Sequence, residues 1–193
     1  MRFLLTSLFV VASGLASAAE PKAVVEGKVA EIKAIVATDK TDEGVRSKVT
    51  AVFESFTDFE EFSRQTLKTA WDKLTPPQKA LFVDKYRQLL HKSYIKHFKA
   101  NRPLEVVFRT EVEVVGDKAL VPTSVTSGDT KADVDYKLTK SGETWKVYDL
   151  EIDAVSLMRS YRKQFTKIYE TDGFDALIKK IEERIAKGDT KIN

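Results

Sequence analysis

The sequence predicts an α+β fold: a curved antiparallel sheet of four strands, with several helices packed on one face and an apolar pocket enclosed between sheet and helices. Three observations predict it. Apolar residues recur at spacings of three and four over residues 21–90, alternate at a spacing of two from Leu104 to Ile152, and return to spacings of three and four from Leu157 onward. Helices before and after a curved sheet can cover one of its faces and leave space between the layers.

In the N-terminal stretch Val25, Val29, Ile32 and Ile35 form one apolar stripe. Val45, Val49, Val52 and Phe53 form a second, with a break expected at the polar run around Thr41 and Gly44. Thr57 with Glu60, and Thr75 with Gln78, have capping-box spacing, in which each side chain satisfies a backbone N–H that the helix start leaves unpaired. Pro76 suits a first helical position, where no N–H is needed. Helices are therefore expected near 58–71 and 76–99, the second carrying Leu81, Phe82, Tyr86, Leu89, Leu90, Tyr94 and Phe98.

At Arg102-Pro103 the period changes. Leu104, Val106, Phe108, Thr110, Val112 and Val114 read as one long strand, and Gly116-Asp117 turns the chain. Strands follow near 118–126, 131–139 and 143–152, separated by turns at Ser127-Gly128-Asp129 and Ser141-Gly142. In the last strand Trp145 and Val147 have one phase and Tyr148, Leu150 and Ile152 the other, which calls for a bulge or for two covered faces. Two amphipathic helices close the chain, one with Leu157, Met158, Tyr161, Phe165 and Ile168, the other with Phe174, Leu177, Ile178, Ile181 and Ile185.

The ends and the composition bound the function. Arg2, the apolar run Phe3–Leu15 and Ala16-Ser17-Ala18 have the form of a secretory signal, so residues 1–18 are expected to be cleaved and 19–193 to form a single domain. The apolar run is shorter than the roughly 20 residues that span a bilayer. With no cysteine in the chain, lipid attachment through a Cys, disulfide stapling and Cys-based catalysis are all excluded. The 32 Lys and Arg nearly balance 29 Asp and Glu, and they alternate along the chain, which argues against a nucleic-acid footprint. A soluble, exported, monomeric protein is the expectation.

No constellation in the sequence points firmly to catalysis. His91 and His97, six apart on one expected helix, face different directions and share neither a proton nor a metal ion. Asp149, Glu151 and Asp153 alternate along the last strand and read as a solvated face, although such a row could also hold a hard cation. Asp135 and Asp149 are both expected to point outward. Arg159, Arg162, Lys163 and Lys167 make a basic helix face that reads as solvated rather than as a docking stripe. Phosphate-loop, dinucleotide, nucleophile-elbow and metalloprotease motifs are absent. No catalytic residue, metal ligand or cofactor is therefore assigned.

The stretch Tyr148-Asp149-Leu150-Glu151-Ile152-Asp153-Ala154-Val155-Ser156-Leu157, with Tyr161-Arg162-Lys163-Gln164-Phe165 and Gly173-Phe174-Asp175-Ala176-Leu177-Ile178, resembles the MlaC family, the toluene-tolerance group of periplasmic phospholipid-binding proteins. Asp58-Phe59-Glu60-Glu61-Phe62-Ser63, Thr75-Pro76-Pro77-Gln78, Phe82, Leu89-Leu90 and Tyr94 extend the resemblance over most of the chain. Ala154 departs from it, standing where members often carry Gly. The resemblance implies a periplasmic carrier that shuttles phospholipid between an outer-membrane lipoprotein–porin complex and an inner-membrane ABC transporter bearing a ring of substrate-binding subunits, and so maintains outer-membrane lipid asymmetry. It implies no reaction.

Such a carrier needs depth. At about 0.8 kcal/mol per CH₂, two acyl chains of roughly 16 carbons each would cost on the order of 25 kcal/mol to leave in water. The pocket is expected between an inner sheet face of Val106, Phe108, Val112, Val134, Tyr136, Leu138, Leu150 and Ile152 and helices carrying Phe82, Tyr86, Leu90, Val155, Tyr161 and Phe165. With the headgroup outside in solvent, headgroup discrimination should be poor. Two other readings stay open: a small-molecule enzyme on a cone-shaped α+β fold, which needs a buried carboxylate in the pocket, and a carrier of another apolar cargo.

Overall fold

A computed structural model describes residues 20–188; the expected signal segment, 1–18, lies outside the described residues. Helix α1 (Pro21–Thr38) opens on a proline and buries Val25, Ile32 and Val36. It ends at Asp39, whose carboxylate accepts from the Thr41 backbone N–H (3.1 Å) and pairs with Lys48 (2.8 Å). These contacts hold that carboxyl below its usual range, with the Lys48 bond the largest cause. Thr41 caps α2 (Asp42–Phe56) by accepting from Gly44 N, so the break falls where the polar run placed it.

Helix α3 (Phe59–Leu67) starts one residue later than the capping-box spacing suggested. Asp58, not Thr57, is the cap, accepting from Glu61 N at 2.9 Å, while Thr57 closes α2. Lys68, at φ +50°, separates α3 from the short α4 (Thr69–Asp72), so the expected helix 58–71 is two pieces. Helix α5 (Pro76–Tyr94) has the expected Thr75/Gln78 capping box with proline in its first turn. It gives way to a 3₁₀ turn over Ile95–His97 instead of running on to 99.

The open antiparallel sheet has six strands rather than four: β1 (Leu104–Phe108), β2 (Glu113–Val115), β3 (Lys118–Ser127), β4 (Thr130–Ser141), β5 (Thr144–Ile152) and β6 (Val155–Ser156). They lie in the order β1-β3-β4-β5-β6, with β2 also paired to β3. The long first strand of the sequence reading is interrupted for a reason that sits on its neighbour. Arg109 N donates to Pro122 O at 3.0 Å, but proline has no N–H to return, so the ladder fails there. Pairing resumes at Glu113↔Leu120 with a changed register, and Val112 falls in the gap.

The phase change in β5 is a bulge. Lys137 pairs with Asp149 and Leu138 with Val147, so Tyr148 is the extra residue. Trp145, Val147, Leu150 and Ile152 thereby share one sheet face with Tyr136 and Leu138. β5 and β6 are joined by Asp153 and Ala154, both at positive φ (48° and 63°), as a two-residue hairpin turn requires.

Ser156 then caps α6 (Leu157–Lys187), which runs in helical pitch except at Gly173 (φ 83°), where a left-handed backbone separates the two helical stretches that the sequence suggested. The helices pack in two groups. α1 and α2 bury Val25, Val45, Val49, Val52 and Phe56 against Ala119, Val121, Leu138, Trp145 and Val147 on the inner face of the sheet. Helices α3 to α6 build a second core around Phe62, Leu67, Trp71, Phe82, Tyr86, Tyr161, Phe165 and Leu177, against Leu150 and Ile152 at the β5 end of the sheet.

Ala154 occupies a conformation that costs an L-residue about 1–2 kcal/mol. Ala154→Gly is therefore expected to stabilise the fold by about 0.5–1 kcal/mol, net of the greater freedom glycine has when unfolded. A urea midpoint that stays put or falls would contradict this reading of the turn.

Candidate functional site

Where the two cores meet they leave a cavity of about 420 Å³. Its ceiling is the inner sheet face: Leu104 and Val106 of β1, Val125 and Ser127 of β3, Thr130, Ala132, Val134 and Tyr136 of β4, and Val147, Leu150 and Ile152 of β5. The register explains the grouping. Val106 pairs with Val125, Val125 with Ala132, Val134 with Ile152 and Tyr136 with Leu150, so one face of four strands is continuous and mostly apolar. The opposite wall comes from Val29, Ile32 and Val36 of α1, Phe53 of α2, Phe59 and Phe62 of α3, Leu90 and Tyr94 of α5, and Leu157 at the start of α6.

The exposed lining residues, Lys33, His97, Lys99 and Thr130, together with the half-buried Arg102 and Ser127, mark the mouth. Its frame is built from three separate segments: the second half of α1, the chain from His97 to Arg102, and the β3–β4 hairpin. Asn101 N donates to Val36 O (3.3 Å), Ala100 N to the Asp42 carboxylate (2.9 Å), and Arg102 Nη2 to Ser127 O (3.2 Å). Gly128 lets that guanidinium lie against the hairpin; any Cβ there would sit 3.0 Å from its nitrogens, in a backbone with φ +57°. Among the described residues no Asp or Glu lines the cavity.

Of the fourteen pocket residues expected from sequence, Leu90, Val106, Val134, Tyr136, Leu150 and Ile152 line this cavity, and the other eight lie elsewhere. Phe82, Tyr86, Tyr161 and Phe165 are packed against one another in the helical core, with ring centroids 5.2–5.9 Å apart. Leu138 is sealed under α1 and α2, and Phe108 and Val112 pack at the edge of that same core. Val155 is 50 % exposed on β6. The amphipathic pattern marks a buried face but not whether a side chain or a space lies opposite it.

Both histidines line the cavity, and burial lowers the pKa of each. His91 Nδ1 lies 3.9 Å from Glu54, and the ring meets Phe59 edge-on. Among the described residues no group of three or more His, Asp or Glu is placed to hold a metal ion.

Asp149 corrects the sequence reading. It is 0 % exposed, accepting from Ser156 Oγ (2.7 Å) and Met158 N (3.0 Å) at the start of α6. Burial pushes its carboxyl up, while these two bonds and Lys137, 3.7 Å away, pull it down. It lies outside the cavity lining, and Asp135, the other strand carboxylate, pairs with Arg109. The pocket carboxylate that an enzyme on this fold would need is thus not among the lining residues. The basic face of α6 is partly engaged as well: Arg159 pairs with Glu151 (3.1 Å) and Arg162 donates twice to Gln65 O.

An open sheet with a helical core at one side, parted by an apolar cavity with a cationic mouth, defines an α+β binding protein. The chain belongs to the MlaC family, whose model, described as MlaC protein, matches residues 26–183. The solved structure of a phospholipid-binding protein from Ralstonia solanacearum, in complex with a phospholipid, shares the fold: TM-score 0.79 at 24% identity, over 88% of this chain and 99% of that one. No curated protein matches.

Asp149→Ala would leave Met158 N–H unpaired at a buried helix start, at a cost of about 1–3 kcal/mol. Chemical denaturation should show that loss; an unchanged midpoint would mean that α6 does not depend on this cap.

Proposed function

We propose that this protein is a carrier that takes the acyl chains of a phospholipid into the cavity and leaves the headgroup at the mouth. The observation that carries the reading is the continuity of an apolar space, lined by four strands and five α-helices, with a cationic rim. Its volume falls within the roughly 300–1,000 Å³ of small-molecule sites. The family supports the reading, as does the phospholipid in the Ralstonia neighbour. The lining residues that would touch the chains are Leu90, Val106, Val134, Tyr136, Leu150 and Ile152, joined by Val125, Ala132, Phe59 and Phe62.

In the fuller form of the proposal, residues 1–18 direct export and the remainder works as one soluble domain and a monomer in the periplasm. No described helix is long and apolar enough to cross a membrane. It exchanges lipid between an outer-membrane lipoprotein–porin complex and an inner-membrane ABC transporter with a substrate-binding ring, and so contributes to outer-membrane lipid asymmetry. The C-terminal motif block and the family membership support this assignment. The protein performs no chemistry on its cargo.

Protein purified from the periplasm without detergent should show, by native mass spectrometry and solvent extraction, a mass excess that resolves into diacyl phospholipid. Ala132→Trp, which fills the cavity from the sheet side, and Val134→Asp, which puts a charge among apolar walls, should each lose at least nine-tenths of that lipid while the circular dichroism stays native. Variants that fold and keep their lipid would move the cargo elsewhere; a wild type with no extractable lipid would overturn the phospholipid reading.

A further inference from the structure

The mouth gathers Lys33, Lys99 and Arg102 around a cavity whose lining, among the described residues, includes no carboxylate. Elsewhere Lys28, Lys48, Lys85, Arg64, Arg87 and Arg109 each sit within 4 Å of a carboxylate, while other cations, Lys163 and Lys167 of α6 among them, make no ion pair among the described residues. Lys33, Lys99 and Arg102 make no ion pair among the described residues, although the chain as a whole carries nearly as many acids as bases. Arg102 is held in place by Ser127 O, and Asp42, which accepts from Ala100 N, lies 3.9 Å from Arg46. The three cations come from two segments that meet at one opening, and among the described residues nothing acidic lines the space behind them.

We infer that Lys33, Lys99 and Arg102 form a phosphate subsite that makes the carrier prefer lipids with a net negative headgroup over zwitterionic ones, in place of the poor headgroup discrimination expected from the sequence. The inference rests on the phospholipid reading and deepens it. Once the chains are in the cavity, the lipid phosphate is confined to the mouth. There each partly exposed cation can change an equilibrium by up to about fivefold. A phosphatidylethanolamine brings its own ammonium to the same place, which repels the three cations and cancels part of the attraction. A phosphatidylglycerol does not. The side chains are solvated, so the preference must fade with salt, as the screening length contracts from about 30 Å at 0.01 M to about 3 Å at 1 M.

The test loads delipidated protein from vesicles of equal phosphatidylglycerol and phosphatidylethanolamine with matched acyl chains, re-isolates it and quantifies both lipids by mass spectrometry. At low salt the wild type should carry about three to ten times more phosphatidylglycerol than phosphatidylethanolamine, approaching equality near 1 M sodium chloride. The double variant Lys33→Gln/Lys99→Gln should lose most of that bias. Lys163→Gln/Lys167→Gln, which removes the same charge from the exposed face of α6, should keep it. Arg102→Gln should act like the first pair, and Arg102→Lys should restore part of the bias. Equal loading of the wild type at low salt would overturn the subsite, as would a bias insensitive to Lys33 and Lys99. A bias erased by inorganic phosphate but not by chloride at equal ionic strength would assign the site to free phosphate and overturn it also. Protein that takes up neither lipid would instead overturn the phospholipid reading itself.

Discussion

The extra residue in β5 decides what the sheet can do. By absorbing Tyr148, the strand changes phase between Val147 and Asp149. Trp145 and Val147 therefore face α1 and α2, and Leu150 and Ile152 face the cavity, all on one side of the sheet. Asp149 turns to the other side, where its carboxylate receives the first turn of α6. Without the bulge, one of these groups would point the wrong way: either the closed core would lose Val147, or the cavity would gain a carboxylate. The same local irregularity thus sets the core, the wall and the placement of the last helix. Tyr148 itself lies under the Lys118 ammonium, 4.2 Å from its ring centroid.

The cavity exists because neither core is wide enough to close it. Valines of α1 and α2 fill only the end of the inner face occupied by Ala119, Val121, Leu138 and Val147. At the other end, from Ala132 to Tyr136, the cavity lies between the sheet and a wall that includes the start of α6, the end of α5 and the chain from Ile95 to Arg102. Those elements are fixed by commitments elsewhere: α5 and α6 to one another through Tyr86, Tyr161 and Phe165, and the chain after α5 to Val36, Asp42 and Ser127. Collapse of the space would require breaking one of those sets. Rigid packing on both sides holds the gap open.

The sequence was sufficient for the positions of most helices, the strand meander, the Thr75 capping box and the need for a bulge near Tyr148, but not for the split at Lys68 or the end of α5 at Tyr94. It failed where the cause of a structural feature lies on a different strand or segment. Pro122 breaks β1 from β2 although it belongs to β3, and nothing in residues 104–114 announces the gap. Asp149 alternates with apolar residues just as Glu151 does, yet only Asp149 meets a helix start. Phe82, Tyr86, Tyr161 and Phe165 read as pocket walls because a packed core and an apolar cavity draw on the same side chains. The mouth was invisible for a third reason: Lys33, Lys99 and Arg102 belong to a chain rich in lysine, and only tertiary structure shows that they assemble without acids.

The interruption opposite Pro122 also shortens the sheet's free edge. A continuous strand over residues 104–115 would have presented a long row of free backbone donors and acceptors along the sheet's outer margin, a template on which another extended chain could polymerise. Instead that margin is two short pieces out of register with one another, and the opposite margin ends in the two residues of β6. The missing N–H of a single proline, one strand inward, thus spoils the template without placing any charge or bulk on the exposed strand itself.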